Sequence, residues 1–178
     1  HGDYPVLEYP VLTGWFLELE RRITALLGGL QGTDLTEGQI RASTLIFVDV
    51  NTVLLGALLL ITIWAQVRSD EQRQWDGMML AASPCVAAAA LINWDLLPIA
   101  LTALAMLSWS RSKPALTGVM LGLGVAAKLY PGLLLGPLFL LCLRGRRMPD
   151  FVTTLCTAVL SWGAVNLPVL VLAPDAWR

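Results

Sequence analysis

The sequence predicts an all-α protein whose helices form a bundle across a membrane. Of its 178 residues, 56% are hydrophobic and only 14% are charged, whereas about a quarter of the residues in a soluble domain are charged. The hydrophobic residues are gathered into runs separated by short polar loops. This apolar excess excludes a disordered chain. The formal net charge of −1 excludes a generic nucleic-acid binder, which would present a basic surface.

Six apolar runs predict the membrane segments, and they cover residues 44–67, 77–92, 96–109, 115–127, 132–143 and 151–171. The first and the last are long enough for a full span of about 20 residues. The middle four are shorter, so each reaches only ~18–24 Å against a hydrocarbon core of ~30 Å. Merging them in pairs would place Asn93, Asp95 or Lys128 in the middle of the membrane. We therefore expect about six membrane segments.

The positively charged residues favour hairpins over single long spans. Seven cations fall in three successive short loops: Arg68 and Arg73, then Arg111 and Lys113, then Arg144, Arg146 and Arg147. If each interval between these loops is a hairpin, all seven lie on one side, as the positive-inside rule prefers. The hairpin tips, 93–95 and 128–131, then face the non-cytoplasmic side. Because the helices are short, we expect these polar tips to line a recessed cavity.

The first 43 residues predict an external loop with one interfacial helix. Two X-Pro steps favour extended backbone in residues 1–10. Between Leu12 and Leu30 the apolar residues recur at helical spacing, and the charged residues fall on the other side of the helix: Glu18, Glu20, Arg21 and Arg22. A Gly-Gly pair at 28–29 ends this helix. We expect it to lie in the membrane interface; a helix packed on a soluble domain is the alternative.

The chain is thus expected to comprise an external loop (1–43) and a transmembrane region (44–178). Asp34 or Thr36, in the polar linker 31–43, is expected to cap the first span. The chain begins at His1 with no signal peptide and stops after an apolar run. These features predict a piece of a longer protein, with an N-terminal helix and further C-terminal spans missing, and an isolated fragment that is inactive.

Ionisable residues inside membrane segments are functional candidates by default, and Asp49, Asp95 and Lys128 qualify. Lys128 either holds the phosphate of a lipid-linked substrate as a point charge or extends to the lipid headgroups. Asp95 either lines the cavity or caps the helix that follows it. Asp49 and Asn51 either face a cavity or hydrogen-bond to a neighbouring helix. Glu8 lies in the external loop, where a solvated carboxylate is the alternative to a cavity residue.

No pattern in the chain indicates a metal or cofactor site. Walker loops, dinucleotide-binding glycine patterns and metal-ligand spacings of His and Cys are not found, and His1 is the only histidine. The three cysteines lie inside apolar runs, which disfavours a secreted disulfide framework. Gly118 and Gly122 form a G-x-x-x-G pattern, which predicts close helix packing rather than phosphate binding.

Four motifs carry a resemblance to a known family. They are EYPVLTG at 8–14, DVN at 49–51, NWDL at 93–96 and, most specifically, AAKLYP at 126–131. In this order and setting the chain resembles the actinobacterial membrane glycosyltransferases of family 87, over roughly residues 6–170. The resemblance implies a GT-C-like helical bundle, an enzyme of the α-mannosyltransferase type, and a plasma-membrane location with the active face extracytoplasmic.

The resemblance also implies a reaction. The donor is a polyprenyl-phosphate-linked sugar such as polyprenyl-phosphate-mannose, and the acceptor is an extracytoplasmic lipid, glycan or protein. No soluble nucleotide sugar, metal or other cofactor is expected. Transfer is inverting: a carboxylate base activates the acceptor hydroxyl, which attacks the anomeric carbon while the lipid phosphate leaves. A cation near the outer leaflet would stabilise that phosphate.

On this basis we assign Lys128 and Tyr130 to the donor phosphate. The expected cavity-lining residues are Glu8, Tyr9, Asp49, Asn51, Asn93, Asp95 and Asn166. The catalytic base of the superfold closely follows a first transmembrane helix, so we expect it upstream of His1, with Glu8 and Asp95 as the alternatives. A transporter or flippase for a polyisoprenoid-linked lipid and a non-catalytic membrane subunit are the competing functions.

Overall fold

The computed structural model describes residues 9–32, 34–70, 72–90 and 92–172, with the backbone alone for 87–89. These residues form eight α-helices and one short 3-10 helix, and no strand occurs among them. The all-α prediction is therefore confirmed. The helices are α1 (Val11–Leu26), α2 (Glu37–Ser69), α3 (Asp76–Ala81), α4 (Pro84–Ala89), α5 (Leu96–Ser110), α6 (Pro114–Ala127), the 3-10 helix (Tyr130–Leu134), α7 (Leu135–Arg144) and α8 (Met148–Leu172).

Two helices are long and apolar enough to cross a membrane: α2, with 33 residues, and α8, with 25. Their large apolar side chains are widely exposed, with Val53, Leu60 and Leu160 each about 70% accessible, as expected where lipid replaces water as the surroundings. The other apolar helices are shorter: α5, α6 and the continuous 3-10 helix and α7. A helical membrane bundle with two candidate spans is therefore supported. The prediction of about six spans is not confirmed.

The apolar run predicted at 77–92 is not one continuous segment. It contains two helices of six residues each, α3 and α4. The break falls at Ser83, whose hydroxyl accepts a hydrogen bond from the Val86 N–H at 3.4 Å, and at Pro84, the first residue of α4. Proline has no N–H to continue α3 and is well suited to the first turn of a new helix. Hydropathy alone does not reveal that one helix ends and a second begins within an apolar run.

Helix α1 begins and ends close to where its pattern predicts. Its end is set by Gly28, which adopts a left-handed φ of +94° just after the helix. Its buried residues, however, are polar: Thr13, Glu20 and Thr24. The prediction that Glu20 lies on the outer, charged side is wrong. Thr13 and Glu20 both hydrogen-bond to other parts of the bundle, which turns this side of the helix inward. The apolar side chain of Leu26 is correspondingly 86% exposed.

Thr36 caps α2. Its hydroxyl accepts a hydrogen bond from the Gln39 N–H at 3.4 Å, and the Gln39 side chain accepts one from the Thr36 N–H at 2.9 Å. This reciprocal pair is a capping box, which satisfies two backbone donors that the helix start leaves unbonded. Of the two caps expected from the sequence, Thr36 is the one that acts.

Helices α6 and α8 pack side by side with almost no space between their backbones. A Cβ atom at Gly118 would overlap the Thr154 carbonyl, and one at Gly122 would overlap the Ala158 carbonyl. Hydroxyls of α8 bond to carbonyls of α6, Thr154 to Pro114 at 3.1 Å and Ser161 to Val119 at 3.2 Å. The predicted role of the G-x-x-x-G pattern in helix packing is confirmed.

The contacts define two ends of the bundle. Because Thr154 meets Pro114 and Ser161 meets Val119, α6 and α8 run parallel. Helices α5 and α6 run antiparallel, since Asp95 before α5 pairs with Lys128 after α6. We call the end that carries Trp94, Asp95 and Lys128 the tip end.

The opposite end, here called the basic end, carries the loops at 111–113 and 144–147. The Arg147 guanidinium lies 5.8 Å from the centre of the Trp109 ring, which brings the two loops together. The first half of α2 lines a cavity with α1, and its second half lines one with α5. Arg73 lies in this second cavity together with Tyr130. Of the three basic loops, 111–113 and 144–147 therefore share one end.

Candidate functional site

A cavity of about 230 Å³ lies at the tip end, between the start of α1, the loop before α5 and the end of α6. It is smaller than the ~300–1,000 Å³ pockets that hold drug-sized ligands, so it suits one small ring rather than a long chain. We call it the tip cavity. Its lining residues are Tyr9, Pro10, Thr13, Trp94, Asp95, Pro98, Ala127 and Lys128.

Lys128 enters the tip cavity because α6 stops just before it. The backbone of Lys128 is extended, with φ −163° and ψ 144°, while its N–H still bonds to the Gly124 carbonyl at 2.8 Å. Two residues later the 3-10 helix begins, with the buried Pro131 in its first turn. The Lys128 side chain is about half exposed and forms an ion pair with the Asp95 carboxylate.

Asp95 occupies the N-cap position of α5, but its side chain makes no capping hydrogen bond. The carboxylate reaches Lys128 instead. The turn that presents it is held by Asn93, whose side-chain oxygen accepts a hydrogen bond from the Asp95 N–H at 3.1 Å. Asp95 therefore lies at the tip cavity and is paired with Lys128.

Two aromatic rings form one wall of the tip cavity. Tyr9 and Trp94 meet edge to face, with ring centres 5.5 Å apart and planes at 85°, an arrangement that aromatic quadrupoles favour. The indole N–H of Trp94 donates to the Glu20 Oε2 atom at 3.0 Å. Helix α1 is anchored nearby by the Thr13 hydroxyl, which donates to the Ala127 carbonyl at 2.9 Å.

Glu20 is the residue that our sequence reasoning missed. It is fully buried, and its Oε1 atom has no hydrogen-bond partner among the described residues. Burial raises the pKa of Glu20, because removing a carboxylate from water disfavours its charged form, and the Trp94 N–H opposes part of this rise. A signal was present in the sequence: Thr13, Glu20 and Thr24 recur at helical spacing and mark a polar face between the apolar and the charged ones.

A second cavity, of about 240 Å³, adjoins the first across Tyr9 and Pro10. Its far side is lined by Trp162 and Asn166 of α8. Asn166 is buried, and its side-chain amide donates to the Trp162 carbonyl at 2.9 Å. Tyr9 and Asn166 thus line the same cavity.

Lys128 and Tyr130 do not share a cavity. Tyr130 lines a larger space of about 470 Å³ between α2, α3 and α5, together with Thr102 and Met106. Asp49 is exposed beside a mainly apolar cavity between α1 and α2. Asn51 is half-buried, and its side-chain oxygen has no partner within the described ranges. Glu8 lies outside the residues that the structure describes.

Within the described part of the chain, no group of three or more His, Cys, Asp or Glu side chains is placed to hold a metal ion. The polar side chains of Lys128, Asp95, Trp94 and Tyr9 line the tip cavity.

The tip cavity is lined by residues of three of the four motifs of the sequence resemblance, and a comparison with known families tests that resemblance directly. A family model for glycosyltransferase family 87 matches residues 36–178. The chain belongs to glycosyltransferase family 87. No curated protein and no solved structure matches it.

Membership of family 87 makes the chain a glycosyltransferase, which uses a sugar donor and an acceptor. Its two long apolar helices indicate a membrane protein. The family 87 match includes Asp49, Asn93, Asp95 and Lys128, while α1 lies before it. Within the match, the contacts bring Asp95 and Lys128 together at one cavity.

Proposed function

We propose that this family 87 member transfers a hexose, mannose, from a polyprenyl-phosphate donor to an extracytoplasmic lipid or glycan acceptor, with inversion at the anomeric carbon. The observation that carries the proposal is the position of Lys128. It supplies an ammonium at the rim of a small aromatic-walled cavity, held in place by the Asp95 carboxylate. A sugar phosphate needs both a cation for the phosphate and a confined space for the ring.

In this proposal the Lys128 ammonium binds the donor phosphate next to the anomeric carbon. Negative charge grows on the phosphate oxygens as the bond to the sugar breaks, and a fixed cation there stabilises the transition state more than the ground state. Asp95 orients the ammonium before the donor arrives. We do not assign the base to Asp95, because its carboxylate already pairs with Lys128.

We propose that Tyr130 also contacts the donor, but at a different part of the donor from Lys128. Tyr130 faces the space between α2, α3 and α5. Its side chain would therefore meet the donor outside the tip cavity. We therefore place the sugar and phosphate at Lys128, and the beginning of the lipid chain towards Tyr130.

Transfer of radiolabelled mannose tests this function. Membranes that contain the full-length protein should move label from purified polyprenyl-phosphate-mannose into extractable lipid or glycan, with no nucleotide sugar present. Membranes from cells without the gene provide the control, and polyprenyl-phosphate-glucose tests sugar choice. Label that crosses sealed vesicles and stays on the polyprenyl carrier would instead support the flippase, and unaltered donor on its original side would support a non-catalytic subunit.

We also propose that the chain crosses the plasma membrane several times, with the tip end outside and the basic end in the cytoplasm. The two basic loops 111–113 and 144–147 lie together at the basic end, which supports this orientation. In a background without the native cysteines, Leu129→Cys should react with an impermeant maleimide in intact cells, since Leu129 is 78% exposed. Ser112→Cys, at the basic end, should react only after permeabilisation. The reverse pattern would contradict the orientation.

A further inference from the structure

Glu20 stands out because a carboxylate in the interior costs stability unless it is fully bonded. Its side chain has no accessible surface, and one of its oxygens has no partner among the described residues. A buried polar atom without a hydrogen-bond partner destabilises the folded state. The other carboxylate of the same helix, Glu18, is exposed and pairs with Arg21 and Arg22 at 2.6 and 2.8 Å. The packing of α1 alone therefore does not account for a carboxylate at this buried position.

The single described partner of Glu20 points to that role. Its Oε2 atom accepts the indole N–H of Trp94, a residue 74 positions away. Trp94 immediately precedes Asp95, lines the tip cavity and contacts Tyr9. Glu20 thus lies behind the aromatic wall and fixes the angle of one of its two rings.

We propose that Glu20 is a positioning residue, which holds Trp94 as the wall against which the sugar ring of the donor packs. This inference rests on the proposed function, since that function places the donor phosphate at Lys128. The anomeric carbon is bonded to a phosphate oxygen, so the ring cannot lie far from Lys128. Trp94 and Tyr9 are the aromatic surfaces of that same cavity. The apolar face of a hexose and the flat face of an indole are complementary.

The test compares Glu20→Gln, Glu20→Met and Glu18→Ala in the full-length protein, labelled with 5-fluorotryptophan. The fluorine signal of Trp94 is assigned as the one that Trp94→Phe removes. Glu20→Gln keeps an acceptor oxygen and should preserve both the signal and the donor KM. Glu20→Met fills the same space but has no acceptor oxygen, so it should shift the Trp94 signal. It should also raise the donor KM about tenfold, which corresponds to the loss of one aromatic contact, and leave kcat nearly unchanged. Glu18→Ala should change neither.

A double-mutant comparison separates positioning from a merely structural role. If Glu20 acts through Trp94, Glu20→Met adds no further increase in donor KM once Trp94 is replaced by phenylalanine. An undiminished effect in the Trp94→Phe background, or an unchanged signal and KM in Glu20→Met, overturns the inference. If Glu20→Met does not assemble, a donor KM for Trp94→Phe equal to that of the wild type overturns it as well.

The proposed function is tested separately from the role of Glu20. Titration of the Trp94 signal with polyprenyl-phosphate-mannose reports donor binding without turnover. A wild-type protein that binds this donor but does not transfer mannose contradicts the proposed function, while weaker binding by Glu20→Met still supports the inference. A wild-type protein that transfers mannose normally, with the same donor affinity in Glu20→Met, retains the function and removes Glu20 from it.

Discussion

Replacement of Lys128 by Ala is expected to lower sugar transfer by at least ~100-fold, the usual loss when one preorganised charge at a transition state is removed. The fold should survive. The Lys128 and Asp95 side chains are both more than a third exposed, and such ion pairs contribute at most about 1 kcal/mol to stability. Initial rates with polyprenyl-phosphate-mannose, alongside thermal unfolding of the purified protein, provide the measurement.

The chain contains a matched control for this variant, because Lys113 is its only other lysine. Lys113 is exposed at the basic end, just before α6, so Lys113→Ala should transfer sugar normally. Lys128→Arg should restore activity only in part, since a planar guanidinium does not reproduce a compact ammonium.

Asp95→Asn separates phosphate binding from ion pairing. It keeps the ammonium and removes its carboxylate partner, so it should lose clearly less activity than Lys128→Ala. Equal losses in the two variants would mean that the ion pair itself is what matters. Undiminished transfer by Lys128→Ala would remove Lys128 from the mechanism.

Replacement of Gly122 by Ala is expected to separate α6 from α8 and to destabilise the protein strongly. The added methyl group would overlap a backbone carbonyl, Ala158 O, which cannot rotate aside as a side chain can. The helices would have to part, which weakens the Ser161 bond to the Val119 carbonyl. Overpacking of this kind costs up to about 3 kcal/mol, which corresponds to a fall in Tm on the order of 10 °C.

Gly56 in α2 is the matched control, since a Cβ atom there would meet nothing within 4 Å. Alanine is the better helix former in an open position, so Gly56→Ala should leave the Tm unchanged or raise it slightly. Fluorescence-detected gel filtration after heating in detergent would measure both variants. A Gly122→Ala protein as stable as the wild type would show that α6 and α8 are not in close contact in the membrane.

The local features of the chain could largely be predicted. Apolar periodicity predicts α1 within a few residues of its observed ends. The two cap candidates, Asp34 and Thr36, include the residue that caps α2, which is Thr36. The spacing of Gly118 and Gly122 predicts a close helix contact. Each of these depends on residues within a few turns of one another. The restart at Pro84 escaped the hydropathy pattern because a single proline changes the hydrogen bonding without changing the mean apolarity.

The site could be predicted only in part, because its members come from distant segments. Asp95 and Lys128 were expected at two hairpin tips, but only the antiparallel packing of α5 and α6 pairs them. Lys128 and Tyr130 are neighbours in the chain, yet the extended backbone between α6 and the 3-10 helix directs them into different cavities. Glu20 was expected to be a surface charge, because no residue near it in the chain predicts its hydrogen bond with Trp94.

The sequence by itself determined that the chain is a helical membrane protein of glycosyltransferase family 87, with its basic loops at regular intervals. Composition, periodicity and motif order carry that information, and none of them depends on how the helices dock. Only the tertiary structure decided which polar groups meet at the tip cavity and which side of α1 is buried. The physical reason is that docking is settled by contacts such as Thr13 with Ala127 and Glu20 with Trp94. These join residues more than 70 positions apart, so no local pattern reveals them.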